Sequence, residues 1–291
     1  MGAAMAPTED ARAARADAPP AGTLEAWCFE FVTGTELEVK LAPRSAPAAH
    51  DERSWEPAAP SRRIRAPGRP PELVPSLRAA RTPRAGALAA PRARAQLLHA
   101  FLHHELQAAE LFAWAVLAFP TAPREFRAGL VRLCQEELAH LGLYARRLTT
   151  LGFAAGAFPV RDWLWERVSG AGDAAAFVAL LGLGFEGANL DHSARFAAAF
   201  RAAGDAESAS ILARIERDEV AHVAFAARWF ARLSGAPLDY ERWRAALPAP
   251  LTPALLQGRP LNRAARLRAG LDADFLAQLE REPATNTERR A

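Results

Sequence analysis

The sequence predicts an all-α protein built around a four-helix bundle with one long crossover. Three observations carry this prediction. Four long segments repeat apolar residues at helical spacing. Stop and start signals separate them. A set of Glu and His residues recurs in the two halves at matched intervals. The first set is Glu105, Glu137 and His140; the second is Glu186, Glu219 and His222. The lone Glu precedes the Glu-x-x-His pair by 32 residues in the first half (105 to 137) and by 33 in the second (186 to 219).

The elements follow in chain order. Residues 1–22 are Ala, Arg, Pro and acids without periodicity, which predicts disorder. Residues 23–90 open with LEAWCFEFV at 24–32, which periodicity alone allows as helix or strand. A small helix packed on the bundle is the preferred reading, broken at Gly34 and resumed over 36–41. Nine prolines between 42 and 90 make the rest an extended wrap. The bundle occupies 91–235. Its first helix is read over 92–119, stopping before Pro120. Thr121 is the expected cap of the second, with Pro123 just inside its start, and this helix reaches about 150 ahead of Gly152. Residues 151–172 are too long for a tight turn and carry Trp163 and Trp165, which suggests a short helix within a crossover. Asp173 caps the third helix, broken at Gly204. Asp205 caps the fourth, which ends at Ser234 and Gly235. In the extension 236–291, Asp239, Asn262 and Asp272 open short helices. Two hairpins joined by one long crossover are the connectivity of ferritin-like folds. Aligning Glu105 on Glu186 also places Phe119 on Phe200, as an internal pseudo-repeat would.

The Glu and His pattern has a chemical reading. Residues three apart share a helix face, so each Glu-x-x-His pair converges on one point. A span of 32 residues is enough for a helix, a turn and a helix back to the level of the lone Glu. Four carboxylates buried together are costly without compensation, and two divalent cations neutralise them. Oxygen and imidazole donors without a thiolate cluster suit iron or manganese. The expected cofactor is therefore two iron ions, with manganese or a mixed pair as alternatives. Glu110 rivals Glu105 for the first position. The two stand about 140° apart around a helix, so they do not face the site equally. The half-to-half alignment pairs Glu105 with Glu186 and Glu110 with Asp191, which favours Glu105. Glu136 and Asp218 are candidates to hydrogen-bond the second nitrogen of a ligand His, against a plain solvated face. Tyr144, four residues after His140, is a candidate to contact a ligand or pass an electron, against a core role. Glu110 and Asp191 complete the supporting candidates. His103, His104 and His192 are candidates to line an entrance, against simple packing.

Composition sets outer bounds. The chain is 51% hydrophobic and 24% charged, ordinary for a globular protein. No run of 18 apolar residues predicts a membrane span, and the N-terminus lacks a secretory pattern. Two cysteines, Cys28 and Cys134, are too few for a disulfide framework and predict reduced thiols in the cytoplasm. Cys134, three residues before Glu137, reads as a small buried hydrophobe, with a redox role as the alternative. The net charge is +3, yet only one of 36 basic residues, Lys40, is lysine, which points to a GC-rich bacterial genome. Residues 61–95 hold nine Arg against one acid, Glu72. That stretch is a candidate contact for RNA or an acidic partner, though without interleaved aromatics.

Several segments resemble a known family. These are LHAFLHHE at 98–105, DEVAHV at 218–223, Trp229-Phe230, NRAAR at 262–266 and AGL at 269–271, with Lys40-Leu41 and Pro70-Pro71 upstream. Together they resemble the uncharacterised ferritin-like family known as domain of unknown function 455, over nearly the whole chain. That family is similar in ligand pattern to ferritins, bacterioferritins and a bacterial tRNA hydroxylase. The segment ELQA at 105–108 also resembles the first ligand helix of bacterioferritins. The resemblance implies one metal on Glu105 and His140, another on Glu186 and His222, and bridging by Glu137 and Glu219. It further implies an O2-dependent oxidase or hydroxylase acting on an unknown small or tRNA-type substrate, with an electron donor. A ferroxidase or a non-catalytic helical scaffold are the alternatives. The third helix departs from the family. Its EGANLDH at 186–192 lacks an Arg that the family's Glu-Ala-Arg-Gly-Leu-Asp carries, and gains His192, so a shared substrate does not follow.

Overall fold

The computed structural model describes residues 18–76 and 83–283. Residues 1–17 of the segment 1–22 expected to be disordered, residues 77–82 of the Arg-rich stretch, and the last eight residues of the C-terminal extension lie outside them. The described residues are mostly α-helical and contain no strand, only an isolated parallel bridge between Pro75 and Val160.

Helix α1 (Leu24–Thr33) settles the helix-or-strand ambiguity, because the Thr23 hydroxyl caps it by accepting from the Ala26 N–H. A short α2 (Leu37–Leu41) follows, then the wrap. Four long helices come next: α3 (Pro91–Ala118), α4 (Arg124–Thr150), α6 (Ala174–Ala202) and α7 (Ala206–Ser234), with the short α5 (Trp163–Val168) in the connection between α4 and α6. Asp173 and Asp205 cap α6 and α7, and Gly235 ends α7 at φ +69, the left-handed conformation that favours glycine. Asp239, Asn262 and Asp272 cap α8 (Tyr240–Ala245), α9 (Arg263–Arg268) and α10 (Ala273–Arg281).

Two local expectations are corrected. Thr121 does not cap α4. The N-cap is Pro123, which makes no side-chain capping bond, because a turn at Pro120–Ala122 leaves Thr121 outside the helix. The third long helix is also not uniformly α: Val178–Glu186 winds as a π-helix. Gly182 and Gly184 lie in this stretch. A Cβ on Gly182 would stand 2.4 Å from the Ala226 methyl of α7, so the π segment packs where a larger residue has no room.

Cross-helix contacts fix the directions. On α4 and α7, Glu136 meets His222, His140 meets Asp218, and Arg147 meets Ser208, so the two run antiparallel. Asn189 meets Glu219 and Gly182 meets Ala226, so α6 also runs antiparallel to α7. Helices α4 and α6 are therefore parallel, and residues 151–173 must return the chain along their length. This geometry is why the crossover is long. Helix α6 is long and apolar enough to cross a membrane by composition, but its most apolar window is 83% buried within the protein, as a core helix is.

A buried ion network fastens the wrap to α3 and the crossover. Glu110 accepts from Lys40 at 2.8 Å and from Arg69 at 2.5 and 2.7 Å. Arg69 also reaches Asp162 at 3.0 Å, and Asp162 meets His103 Nε2 at 2.9 Å. The Lys40 ammonium spends its three protons on Glu110 and on the carbonyls of Phe31 and Val32. A compact three-donor ammonium matches the three acceptors of that cradle one for one. Arg62 and Arg63 of the basic stretch are likewise engaged internally, with Glu56 and with the carbonyls of Ala171 and Gly172.

Candidate metal centre

Three helices send acidic and imidazole side chains to one buried cluster, and α6 holds Glu186 close enough to feel its charges. Glu105 comes from α3, Glu137 and His140 from α4, Glu186 from α6, and Glu219 and His222 from α7. All six are buried. Donor atoms of Glu105, Glu137, His140 and Glu219 lie within 4.8 Å of one another, so this buried cluster is able to hold a metal ion. The two imidazole rings stack at 5.8 Å between centroids.

The distances have a pattern. His222 Nδ1 stands 2.8 Å from Glu137 Oε1 and 3.0 Å from Glu219 Oε2. His140 Nδ1 stands 3.5 Å from Glu137 Oε2, 3.7 Å from Glu219 Oε1 and 3.6 Å from Glu105 Oε2. Each of Glu137 and Glu219 thus turns one oxygen to either histidine. Donors about 2.1 Å from a shared cation stand about 3.0 Å apart at a right angle and about 3.4 Å apart at the tetrahedral angle. The observed separations fall near those edges. Both oxygens of Glu137, Glu186 Oε1, Glu219 Oε2 and the Nδ1 atoms of both histidines are buried without a hydrogen bond. Buried polar atoms are normally satisfied, so a set of unsatisfied acceptors gathered at one point fits a cation.

Supporting contacts cross between the hairpins. His222 Nε2 meets Glu136 Oε2 at 2.8 Å, and His140 Nε2 meets Asp218 Oδ2 at 3.3 Å. A carboxylate accepts, so each Nε2 carries a proton there, and each Nδ1 faces the cluster, where it offers a lone pair once the ring gives up its second proton. Glu136 and Asp218 are half-exposed and lie beside Arg132 and Arg214.

Electrostatics follow the crowding. Burial pushes the carboxyls of Glu105 and Glu186 well above the usual range, and neighbouring Glu137 adds to it. Burial disfavours a charge on His140, but Glu105 and Glu137 outweigh it and push the imidazole up to about 12. His222 is raised in the same way, against burial, by Glu219 and Glu137. Protons and ion pairs therefore compensate the carboxylates that cations would otherwise neutralise.

The remaining candidates separate. Tyr144 is buried, packs on Phe101 at 5.8 Å, and feels Glu105, Glu219 and Glu137 after burial itself raises its phenol. Glu110 is committed to Lys40 and Arg69. Asp191 faces away into the C-terminal extension, where it takes Arg266 at 2.7 Å and the backbone N–H groups of Gly258 and Asn262. His103 is held by Asp162, His104 is exposed and His192 is half-buried. Burial pushes the Cys28 and Cys134 thiols upward, opposite to what a reactive thiolate needs. Sequence reasoning missed Asn189, which donates to Glu219 Oε1 at 3.2 Å. Its place three residues after Glu186, on the same helix face, was the available signal.

Comparison with known proteins adds a family. The family described as protein of unknown function (DUF455) matches residues 34–277. An uncharacterized protein of Haemophilus influenzae (strain ATCC 51907 / DSM 11121 / KW20 / Rd) is 31% identical over 183 residues. That alignment covers 56% of this chain and 64% of the relative, so the chain spans less than two thirds of that protein's length. No solved structure matches the chain.

Proposed function

We propose that this chain, which belongs to the DUF455 family of unknown function, is a ferritin-like dinuclear metal protein that carries out O2-dependent oxidation or hydroxylation. The cofactor would be two iron ions, with manganese as the alternative. The observation that carries this reading is the buried cluster of Glu105, Glu137, His140 and Glu219 with His222 and Glu186 beside it, in which both Glu137 oxygens, Glu186 Oε1, Glu219 Oε2 and both Nδ1 atoms lack hydrogen bonds. Two long hairpins with parallel α4 and α6 support the ferritin-like description.

The residues would divide the work as follows. Glu105 and His140 would hold one ion, Glu186 and His222 the other, and Glu137 and Glu219 would span both. Such a pair, when bound, supplies redox and Lewis-acid chemistry toward O2. Four carboxylates balance two dications, so the loaded interior is close to neutral and admits an uncharged molecule. Glu136 and Asp218 keep the histidine rings turned inward. Phe112, buried and edge-on to His222 at 6.4 Å, helps keep bulk water from the centre.

The test is metal content followed by oxygen uptake. Protein from iron-replete cells is expected to hold two metals per chain, and Glu137→Ala or His222→Ala to lose them. Anaerobic, ferrous-loaded protein mixed with O2 is expected to consume it. A folded, metal-free wild type would overturn the reading. Two metals without oxygen uptake would leave only a metal-binding role.

A further inference from the structure

The two halves of the centre match in ligand type, and α6 breaks the match at one side chain. Asn189 follows Glu186 by three residues. The residue three after Glu105 is Ala108, whose methyl group has nothing to donate. Asn189 Nδ2 donates to Glu219 Oε1 at 3.2 Å, and Ser193 Oγ donates to Asn189 Oδ1 at 3.0 Å. A carboxylate only accepts, so the amide must turn its NH2 to Glu219. Ser193, buried one turn further along, holds it in that sense.

This contact leaves the two sides unequal. On the side of His222, Glu137 Oε1 and Glu219 Oε2 are both without hydrogen bonds and lie 2.8 and 3.0 Å from Nδ1. On the side of His140, Glu137 Oε2 is without one at 3.5 Å, but Glu219 Oε1 at 3.7 Å already carries the Asn189 N–H. An oxygen that accepts such a bond keeps a second lone pair for a cation but gives it less charge.

We propose that Asn189 is a positioning residue that makes the two cation positions unequal: the position beside His222 fills first, and Asn189 weakens the one beside His140. The inference rests on the two-cation reading above. It goes beyond that reading by assigning an order of filling and the side chain that sets it.

The experiment is a cobalt(II) titration of the metal-free full chain, followed by heat and by visible ligand-field absorption. Wild type is expected to show two resolved steps. His222→Ala is expected to remove the tight step and His140→Ala the weak one. Asn189→Ala is expected to tighten the weak step about tenfold or more, the scale of one charge-assisted hydrogen bond, while the tight step moves far less. Ser193→Ala is expected to move the weak step in the same direction by less. A purely structural role would instead loosen both steps and lower the unfolding temperature of the metal-free protein. Two equal steps in wild type, or an unmoved weak step in Asn189→Ala, overturn the proposal while leaving the dinuclear centre standing. Uptake of no cobalt, or of one ion, removes the two-cation reading and this inference with it.

Discussion

Glu137 and Glu219 are the side chains on which the site turns, since each faces both histidines. Their neighbours hold protons that a cation has to displace: His140 is raised to about 12, His222 is raised, and burial raises Glu105 and Glu186. A raised pKa means the proton is held at higher pH, so uptake of metal releases protons and apparent affinity rises with pH. Titration at several pH values is expected to show binding weakening steadily toward acid. A pH-independent affinity would contradict this. At the same scale, Glu136→Leu or Asp218→Leu is expected to lower metal affinity by about 10–100-fold, because the imidazole each one orients becomes free to turn. Equilibrium dialysis against a competing chelator measures that loss.

At the scale of the element, the capping residues and the π segment make a contrast. Asp205 caps α7 through the Ser208 N–H and also takes Arg147 of α4 at 2.8 Å, so one aspartate starts a helix and joins the hairpins. Caps are legible because they are local: a short polar residue just before an apolar period has few other uses. The π-winding over Val178–Glu186 has no such local mark. It lies where Gly182 of α6 packs closely on Ala226 of α7. Gly182→Val is expected to cost about 1–3 kcal/mol through overpacking and to lower metal content by displacing Glu186. Urea unfolding and elemental analysis of the purified variant check the two effects separately. Overpacking with full metal content would show that the π segment does not position Glu186.

For the whole molecule, the network from Lys40 through Glu110, Arg69 and Asp162 to His103 ties the N-terminal wrap, α3 and the crossover into one body. Removing Arg69 leaves Glu110 with Lys40 alone and takes from Asp162 its buried guanidinium partner, leaving it only His103. Arg69→Met is therefore expected to destabilise the protein by about 3–5 kcal/mol. Metal content per folded chain is expected to stay unchanged, since the network does not touch the cluster. Denaturant unfolding measures the first, and metal analysis of the folded fraction the second. A small loss of stability would mean that solvent reaches Glu110 and Asp162.

Spacing and capping signals alone were enough to read the helices, most of their caps and the Glu and His residues of the buried cluster, Glu105, Glu137, His140 and Glu219 with His222 beside them. Each of these rests on spacing within a single helix or on a hairpin whose length is set by helical rise. The tertiary structure alone decided which partners cross between hairpins. Glu136 serves His222 on the other hairpin instead of its neighbour His140, and Asp218 does the converse. It also sent Glu110 to Lys40 and Asp191 to Arg266, and brought Asn189 against Glu219. Those pairings depend on how one helix packs on another. A helix presents several polar faces at once, and only the approach of a second helix selects among them.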